Sequence, residues 1–220
     1  MTTSVAPHLV LASSSPARQK ILTDAGIKYS VMVSDVDEDA VLRQAQETAY
    51  SHGLGEITPA QTAQLLAQAK AQDVAQQLVA TPDAGALVLG CDSVFEFEGR
   101  PYGKPHTAEV ATQRITAMQG KTGILHTGHW LVDTRTGQHT AELRSATVHF
   151  ASMSEEEITA YVTTGEPLWV AGSFTIDGFG AGFITGIEGE FHTVVGLSVN
   201  ALRSLLAKNS VSLPEIWKKS

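Results

Sequence analysis

The sequence predicts an α/β fold built on a mixed sheet, and three observations carry that expectation. Strand-like and helix-like patterns alternate through the N-terminal half, two alternating segments flank a tight turn in the middle, and no internal repeat or long low-complexity tract interrupts them. A chain of 220 residues, 43% hydrophobic and 17% charged, has ordinary globular composition and is long enough for a sizeable core. No clean linker is visible, so residues 1–220 are expected to form a single domain or two closely packed lobes.

The first strand is expected at residues 8–12 (HLVLA). Ser15 then takes the N-cap and Pro16 the N1 position, where its missing N–H costs nothing, and Gly26 closes the helix they open. Residues 28–34 alternate as a second strand that runs into the acidic stretch 35–39. Residues 59–79 are rich in Ala, Gln and Leu without internal Gly or Pro, which predicts a long helix, broken at 81–85. The short apolar run 86–94 reads as a buried central strand with Asp92 near its end. Glu98-Gly99 marks a hairpin turn, Thr107 caps a helix ending at Met118, and segments 124–134 and 139–150 alternate around the turn 135–138. Ser154 with Glu157 has the capping-box form and opens a helix that ends at Gly165. The glycine-rich stretch 171–195 is expected as strands and tight loops, and 201–207 as an amphipathic helix before a polar tail.

A formal charge of −8 and a pI near 5.4 argue against a broad basic surface, and so against nucleic acid or anionic lipid as partners. Any phosphate site must be local. The one cysteine, Cys91, rules out an internal disulfide framework and a multi-Cys zinc site. The N-terminal residues 1–7 lack Lys and Arg, and no apolar run approaches the roughly 18 residues of a membrane span. A cytoplasmic protein is expected, neither exported nor anchored.

Several residues could carry chemistry. The strand-to-helix turn from Ser13 to Arg18 offers hydroxyls, free N–H groups and a guanidinium to a phosphate, or is simply a capped helix with a surface arginine. Asp92 sits at the end of the most apolar strand, where an unpaired charge costs several kcal/mol; it reads as a functional carboxylate or as the cap of the next turn. Asp37 and Glu38 follow the second strand and read as ligands or as a solvated loop. Lys70 lies in the long helix and Lys104 between Gly103 and Pro105; each is a phosphate cation or a solvent-facing charge. Together the carboxylates, Arg18, Lys70 and Lys104 suit a Mg²⁺-polyphosphate site, because oxygen ligands hold the hard cation and the basic groups offset phosphate charge. Competing chemistries have little footing. Cys91 reads as an inward, inert thiol, and His126 and His129 point to opposite faces of a strand. P-loop, H-E-x-x-H and G-x-S-x-G motifs are absent.

Nine collinear blocks resemble the Maf family, septum-inhibition proteins that act as nucleoside triphosphate pyrophosphatases. They are LASSSPAR (11–18), VDE (36–38), LAQAKA (66–71), GCDSV (90–94), GKP (103–105), TG (127–128), GEP (165–167), AGSF (171–174) and VVGLS (194–198). The resemblance implies a long mixed sheet with flanking helices and two lobes around a cleft, as in Maf and inosine-triphosphatase-like folds, and a homodimer. It implies cleavage of a nucleoside triphosphate between the α- and β-phosphates with Mg²⁺ or Mn²⁺. Asp92 matches the proton acceptor, Glu38 the metal-binding acidic position shared with Asp92, and Ser13, Ser15, Arg18, Lys70 and Lys104 the phosphate-binding group.

Three departures fall where the family selects the base: Ala17 replaces the first of two arginines, Ser93 stands where Thr or Gln is common, and Asp177-Gly178 replaces Gln-Gly or Glu-Gly. Trp169-Val170 stands where pyrimidine-type members have Asp-Lys, and the segment from Pro167 is closer to the methylated-guanosine branch than to a dTTP or UTP enzyme. Residues 44–64 read as an insertion relative to shorter members. Two functions follow as expectations: a metal-dependent pyrophosphatase, favoured by Glu38, Lys70, Asp92 and Lys104, or a nucleotide-sensing regulator of cell division without useful turnover, favoured by the missing arginine.

Overall fold

A computed structural model describes residues 7–78 and 85–218. Seven strands form one sheet of order β2-β1-β3-β5-β6-β7, with β4 also on β3. β1 (His8–Leu11) runs parallel to β2 (Tyr29–Val31) and β3 (Ala86–Phe97). β5 (Thr122–Asp133), β6 (His139–Phe150) and β7 (Ile184–Glu188) extend the sheet antiparallel. Parallel neighbours need a crossover: α1 (Pro16–Asp24) links β1 to β2, while α2 (Glu38–Ser51) and α3 (Pro59–Leu78) lie between β2 and β3. The mixed α/β sheet predicted from the sequence is therefore present.

β3 is buried almost throughout, as a strand covered on both faces must be. Leu87, Leu89 and Cys91 enter one apolar cluster with Leu9, Leu22 and Leu202. Phe95 and Phe97, on the same face by alternation, enter a second cluster with residues of α4 (Ala108–Met118) and α5 (Glu155–Thr163). Ser93 falls between the two clusters, while Val88 packs on the opposite face with Val74 of α3. One edge of β3 pairs with β1 through Leu89 and with β4 (Arg100–Tyr102) from Phe95 onward. Among the described residues, no strand lies beside 90–94 on that edge, and this notch is where the polar residues gather.

Packing of α3 fixes the notch. A Cβ on Gly90 would lie 2.1 Å from the Ala67 carbonyl oxygen, and one on Gly128 2.5 Å from that of Ala63. Only hydrogen at both positions lets the helix backbone rest on the sheet.

Caps form as the sequence predicts. Ser15 Oγ accepts from Arg18 N–H, Thr107 Oγ1 from Val110 N–H, and Ser154 with Glu157 completes a capping box. Four expectations are corrected. The second strand covers only Tyr29–Val31, because β1 offers a short edge to pair with. The acidic stretch is a loop only as far as Asp37: its Oδ1 accepts from Ala40 N–H at 2.9 Å, and Glu38 and Asp39 form the first turn of α2, where negative charge suits the helix dipole. Residues 44–64 then complete α2, turn, and begin α3, making a helical hairpin. The stretch 171–195 contains 3-10 turns at Ala171–Ser173 and Phe179–Phe183, β7, and the short α6 (Phe191–Val195). Left-handed φ at Gly172 and Ser173 prevents a strand from starting there. Past α7 (Val199–Lys208) the tail is not simply polar, since Ile216 is buried and its carbonyl accepts from Lys28 N–H at 2.7 Å. Of the expected break at 81–85, only Gly85 lies within the described residues.

Gly90→Ala is expected to destabilise the protein by about 1–3 kcal/mol through overpacking, measured by urea denaturation. It should also lower activity by displacing Lys70 from Asp92; an unchanged midpoint would refute the close contact.

Candidate active site

Consecutive residues on a strand face opposite ways, so Asp92 and Ser93 take different partners at the same notch. Asp92 points to the α3 side. There Lys70 Nζ lies 2.6 Å from Asp92 Oδ1 and 2.8 Å from Glu38 Oε1, bridging the two carboxylates. The Asp92 and Lys70 side chains are 12% and 13% exposed and that of Glu38 49%, so the bridge runs from interior to solvent. Lys70 reaches this point because α3 lies on Gly90, and Glu38 because Asp37 starts α2 one residue earlier.

Ser93 points to the α1 side. Arg18 donates from Nη2 to Ser93 Oγ at 3.2 Å, from Nη1 to Ser13 Oγ at 3.1 Å and from Nε to the Gly196 carbonyl at 2.8 Å. Ser93 Oγ also meets Thr127 Oγ1 at 2.9 Å, and Thr127 donates on to the Thr193 carbonyl. Ser15 holds the first turn of α1, and its own N–H donates to Ser13 Oγ at 3.3 Å. Of the residues expected to bind phosphate, Lys70 thus lies on one side of the strand edge and Ser13, Ser15 and Arg18 on the other, with Lys104 in neither set.

Charge joins the two sets. Burial pushes the Asp92 carboxyl above the usual carboxylate range, and Lys70 and Arg18 pull it back without cancelling the rise. A carboxyl held up in this way, with Oδ1 on Lys70 and no other hydrogen-bond partner among the described residues, suits proton acceptance. Burial pushes the neighbouring Cys91 thiol to about 12, so it packs and does not react.

Lys104 and Asp177 are exposed, and neither touches the Asp92 cluster. Lys104 follows β4 and has no ion pair among the described residues. Asp177 follows the 171–174 segment, and its charge reaches Lys20 on α1, near Ala17. His126 and His129 lie on opposite faces, as predicted. His126 meets Ser145 and Glu96, while burial lowers His129 to about 4 and it stays neutral, accepting from Ser198 N–H at Nε2.

Sequence reasoning missed Glu166. Its Oε1 accepts from Tyr161 Oη at 3.0 Å, Thr175 Oγ1 at 2.5 Å and Gly180 N–H at 2.9 Å, and its Oε2 accepts from Phe179 N–H at 2.8 Å. Burial alone would raise its carboxyl, but the donors from Thr175, Gly180, Phe179 and Tyr161 hold it below the usual range. The GEP triplet was a signal, since a carboxylate between a left-handed Gly165 and Pro167 is fixed in direction.

No group of three or more His, Cys, Asp or Glu able to hold a metal occurs among the described residues. Glu38 and Asp92 nevertheless fit a Mg²⁺-type ion, which is commonly held by one or two carboxylates with substrate phosphates and water completing the shell. The Lys70 ammonium between them shows that the pair accommodates positive charge. An open groove of about 660 Å³ lies elsewhere, between α2 and α3, lined by apolar side chains and glutamines.

Fold and site together define a mixed-sheet α/β protein with an acidic and basic cluster at the open edge of its central strand. A family model described as Maf-like protein matches residues 8–209. The chain belongs to the Maf-like family. A relative from Salinispora tropica, named nucleoside triphosphate pyrophosphatase, is 46% identical across 100% of this chain and 91% of its own. Relatives of the same name from Streptomyces coelicolor (46% identity, 99% and 98% covered) and Mycobacterium ulcerans (42%, 96% and 96%) are similar.

A raised folded-state pKa means that the fold resists ionising Asp92. Its cost to stability is absent below the ordinary carboxylate pKa and develops as pH rises from there through the raised value. Thermal melts from acid to neutral pH should therefore show Asp92→Asn gaining on the wild type as pH rises. A gap that is constant or narrows would contradict the assigned burial cost.

Proposed function

We propose that this protein is a nucleoside triphosphate pyrophosphatase that hydrolyses the α–β phosphoanhydride of a triphosphate to a monophosphate and pyrophosphate. One observation carries the reading: a buried carboxylate whose ionisation the fold resists, Asp92, sits on Lys70 with Glu38 at the rim, beside the Arg18 cluster. The names of the relatives support it.

Phosphoryl transfer needs positioning and charge neutralisation more than covalent catalysis. Lys70 and Arg18 would offset phosphate charge from the two sides of β3, with the Ser13 and Ser15 hydroxyls directing phosphate oxygens and Lys104 approaching from the β4 side. Asp92 would take the proton of the attacking water at Oδ2 as the new P–O bond forms, while the anhydride P–O bond breaks and pyrophosphate leaves with the electron pair. Glu38 and Asp92 would hold Mg²⁺ or Mn²⁺. When bound, this ion supplies further neutralisation of the phosphates and makes nearby water more acidic.

Ala17, Ser93 and Asp177 are proposed to select the base, with a modified or noncanonical nucleotide preferred over dTTP or UTP. On the family resemblance the reading extends to a cytoplasmic homodimer with a connection to septum formation, and to a protein without nucleic-acid or membrane partners. Among the described residues, no helix is long and apolar enough to cross a membrane.

Asp92→Asn is expected to lower kcat by about 10²–10⁴-fold. The assay is pyrophosphate release over a panel of normal, methylated and other modified triphosphates with Mg²⁺ and Mn²⁺. Binding without turnover in the wild type would favour the sensing regulator. Arg18→Lys keeps the charge but not the fork that reaches Ser13, Ser93 and Gly196 together, and should lower kcat/KM by about tenfold. Wild-type kinetics would remove Arg18 from the site.

A further inference from the structure

The segment after α5 forms the far wall of the notch. Gly172 is so close to Phe95 that a Cβ would lie 2.7 Å from the ring, and Phe174 packs edge-on against Phe95 and Phe150 at 5.1 and 4.9 Å between centroids. Phe95 is two residues beyond Ser93 on the same face of β3, so this segment borders Ser93 on the side away from Cys91. Within it Ser173 is fully buried at φ +61°, and its hydroxyl has no partner among the described residues. Backbone strain and an unpaired buried hydroxyl persist only where surroundings over-determine them. Beyond Phe174 the chain turns over Glu166, on the Phe95 and Ser93 face of β3, and the charge of Asp177 in this turn reaches Lys20 on α1.

Glu166 is what shapes that turn. It gathers the Thr175 hydroxyl and the N–H groups of Phe179 and Gly180 around one carboxylate, so residues 175–180 wrap it with Asp177 and Gly178 at the crest. A Cβ on Gly178 would lie 2.1 Å from Glu166 Oε2, and one on Gly180 2.6 Å from Tyr161 Oη, so both glycines are needed for the wrap. Ile176 pins the start of the loop in the Phe95 cluster and Thr175 N–H donates to Tyr161 Oη, whereas Phe179 beyond the crest is 70% exposed, so the crest itself depends on Glu166.

We propose that Glu166 is a specificity-positioning residue: by holding the 175–180 loop against the α1 side of the notch, it sets the wall that meets the nucleotide base. The inference rests on the pyrophosphatase reading and adds to it a residue that touches neither phosphate nor metal. Discrimination between bases depends on a wall held in one place, whereas triphosphate binding depends on Arg18 and Lys70.

The test compares kcat/KM across purine and pyrimidine triphosphates for the wild type and Glu166→Gln, with inhibition by inorganic tripolyphosphate as the probe without a base. The amide keeps the side chain's shape but turns a donor toward Phe179 N–H or Gly180 N–H. The ratio of kcat/KM between the best and worst bases should shrink by about tenfold, while tripolyphosphate inhibition stays within about twofold. An unchanged ratio, or a parallel loss of tripolyphosphate binding, would overturn the inference. Should Glu166→Gln fail to fold, Thr175→Val, which removes one donor at constant volume, should shift the ratio in the same direction, and a wild-type ratio there overturns it. A wild-type protein that hydrolyses no triphosphate overturns the parent reading and this one with it, whereas wild-type discrimination that survives in both variants leaves that reading standing.

Discussion

Everything at the site depends on how closely α3 lies on the sheet. Ala63 and Ala67 place carbonyl oxygens where side chains at Gly128 and Gly90 would have to be. Because the backbone itself makes the contact, the helix cannot slide or roll without a clash, and Lys70, one turn beyond Ala67, is delivered to Asp92. The two glycines thereby place the Lys70–Asp92 contact although neither carries a functional group. They belong to neighbouring strands, so the β3–β5 register that sets Asp92 opposite Gly128 is part of the same constraint.

A carboxylate so placed would be costly if left alone. Burial of Asp92 is offset by a cation on each side of the strand, Lys70 in direct contact and Arg18 through the field. The offset is incomplete, and this is what keeps the group able to take up a proton. Arg18 is itself restrained by three different acceptors, so its guanidinium stands ready without having to be ordered when a ligand arrives. Glu38, half exposed on the first turn of α2, is the member of the Lys70 bridge that opens to solvent.

The opposite wall is built on another principle. The phenylalanine cluster anchors its base, and above that anchor a single carboxylate gathers backbone and hydroxyl donors. Apolar packing fixes where the segment leaves the sheet, and hydrogen bonding fixes how it turns. Residues on an exposed loop can vary in sequence while such an anchor keeps the loop in place.

Sequence alone determined the local features. Ser15-Pro16, Thr107 and the Ser154–Glu157 box specified helix starts, the alternation and apolar runs specified β3, β5 and β6, and one polar residue in the most apolar run singled out Asp92. Each of these is a short-range preference of the backbone or of a side chain a few residues away, so it can be read without knowing the fold. The tail around Ile216 and the turns of 171–195 were misread because distant partners decide them, Lys28 and Phe95 respectively, whereas the helix start at the end of the acidic stretch is a local cap, Asp37 on Ala40 N–H, that the reading left open. Only tertiary structure decided that Asp92 and Ser93 serve opposite sides of the notch, that Lys70 bridges Glu38 to Asp92, and that Glu166 shapes the loop 175–180. Those arrangements depend on which strand edge is left unpaired and how near a helix can approach it, and both are set by the packing of segments far apart in the chain.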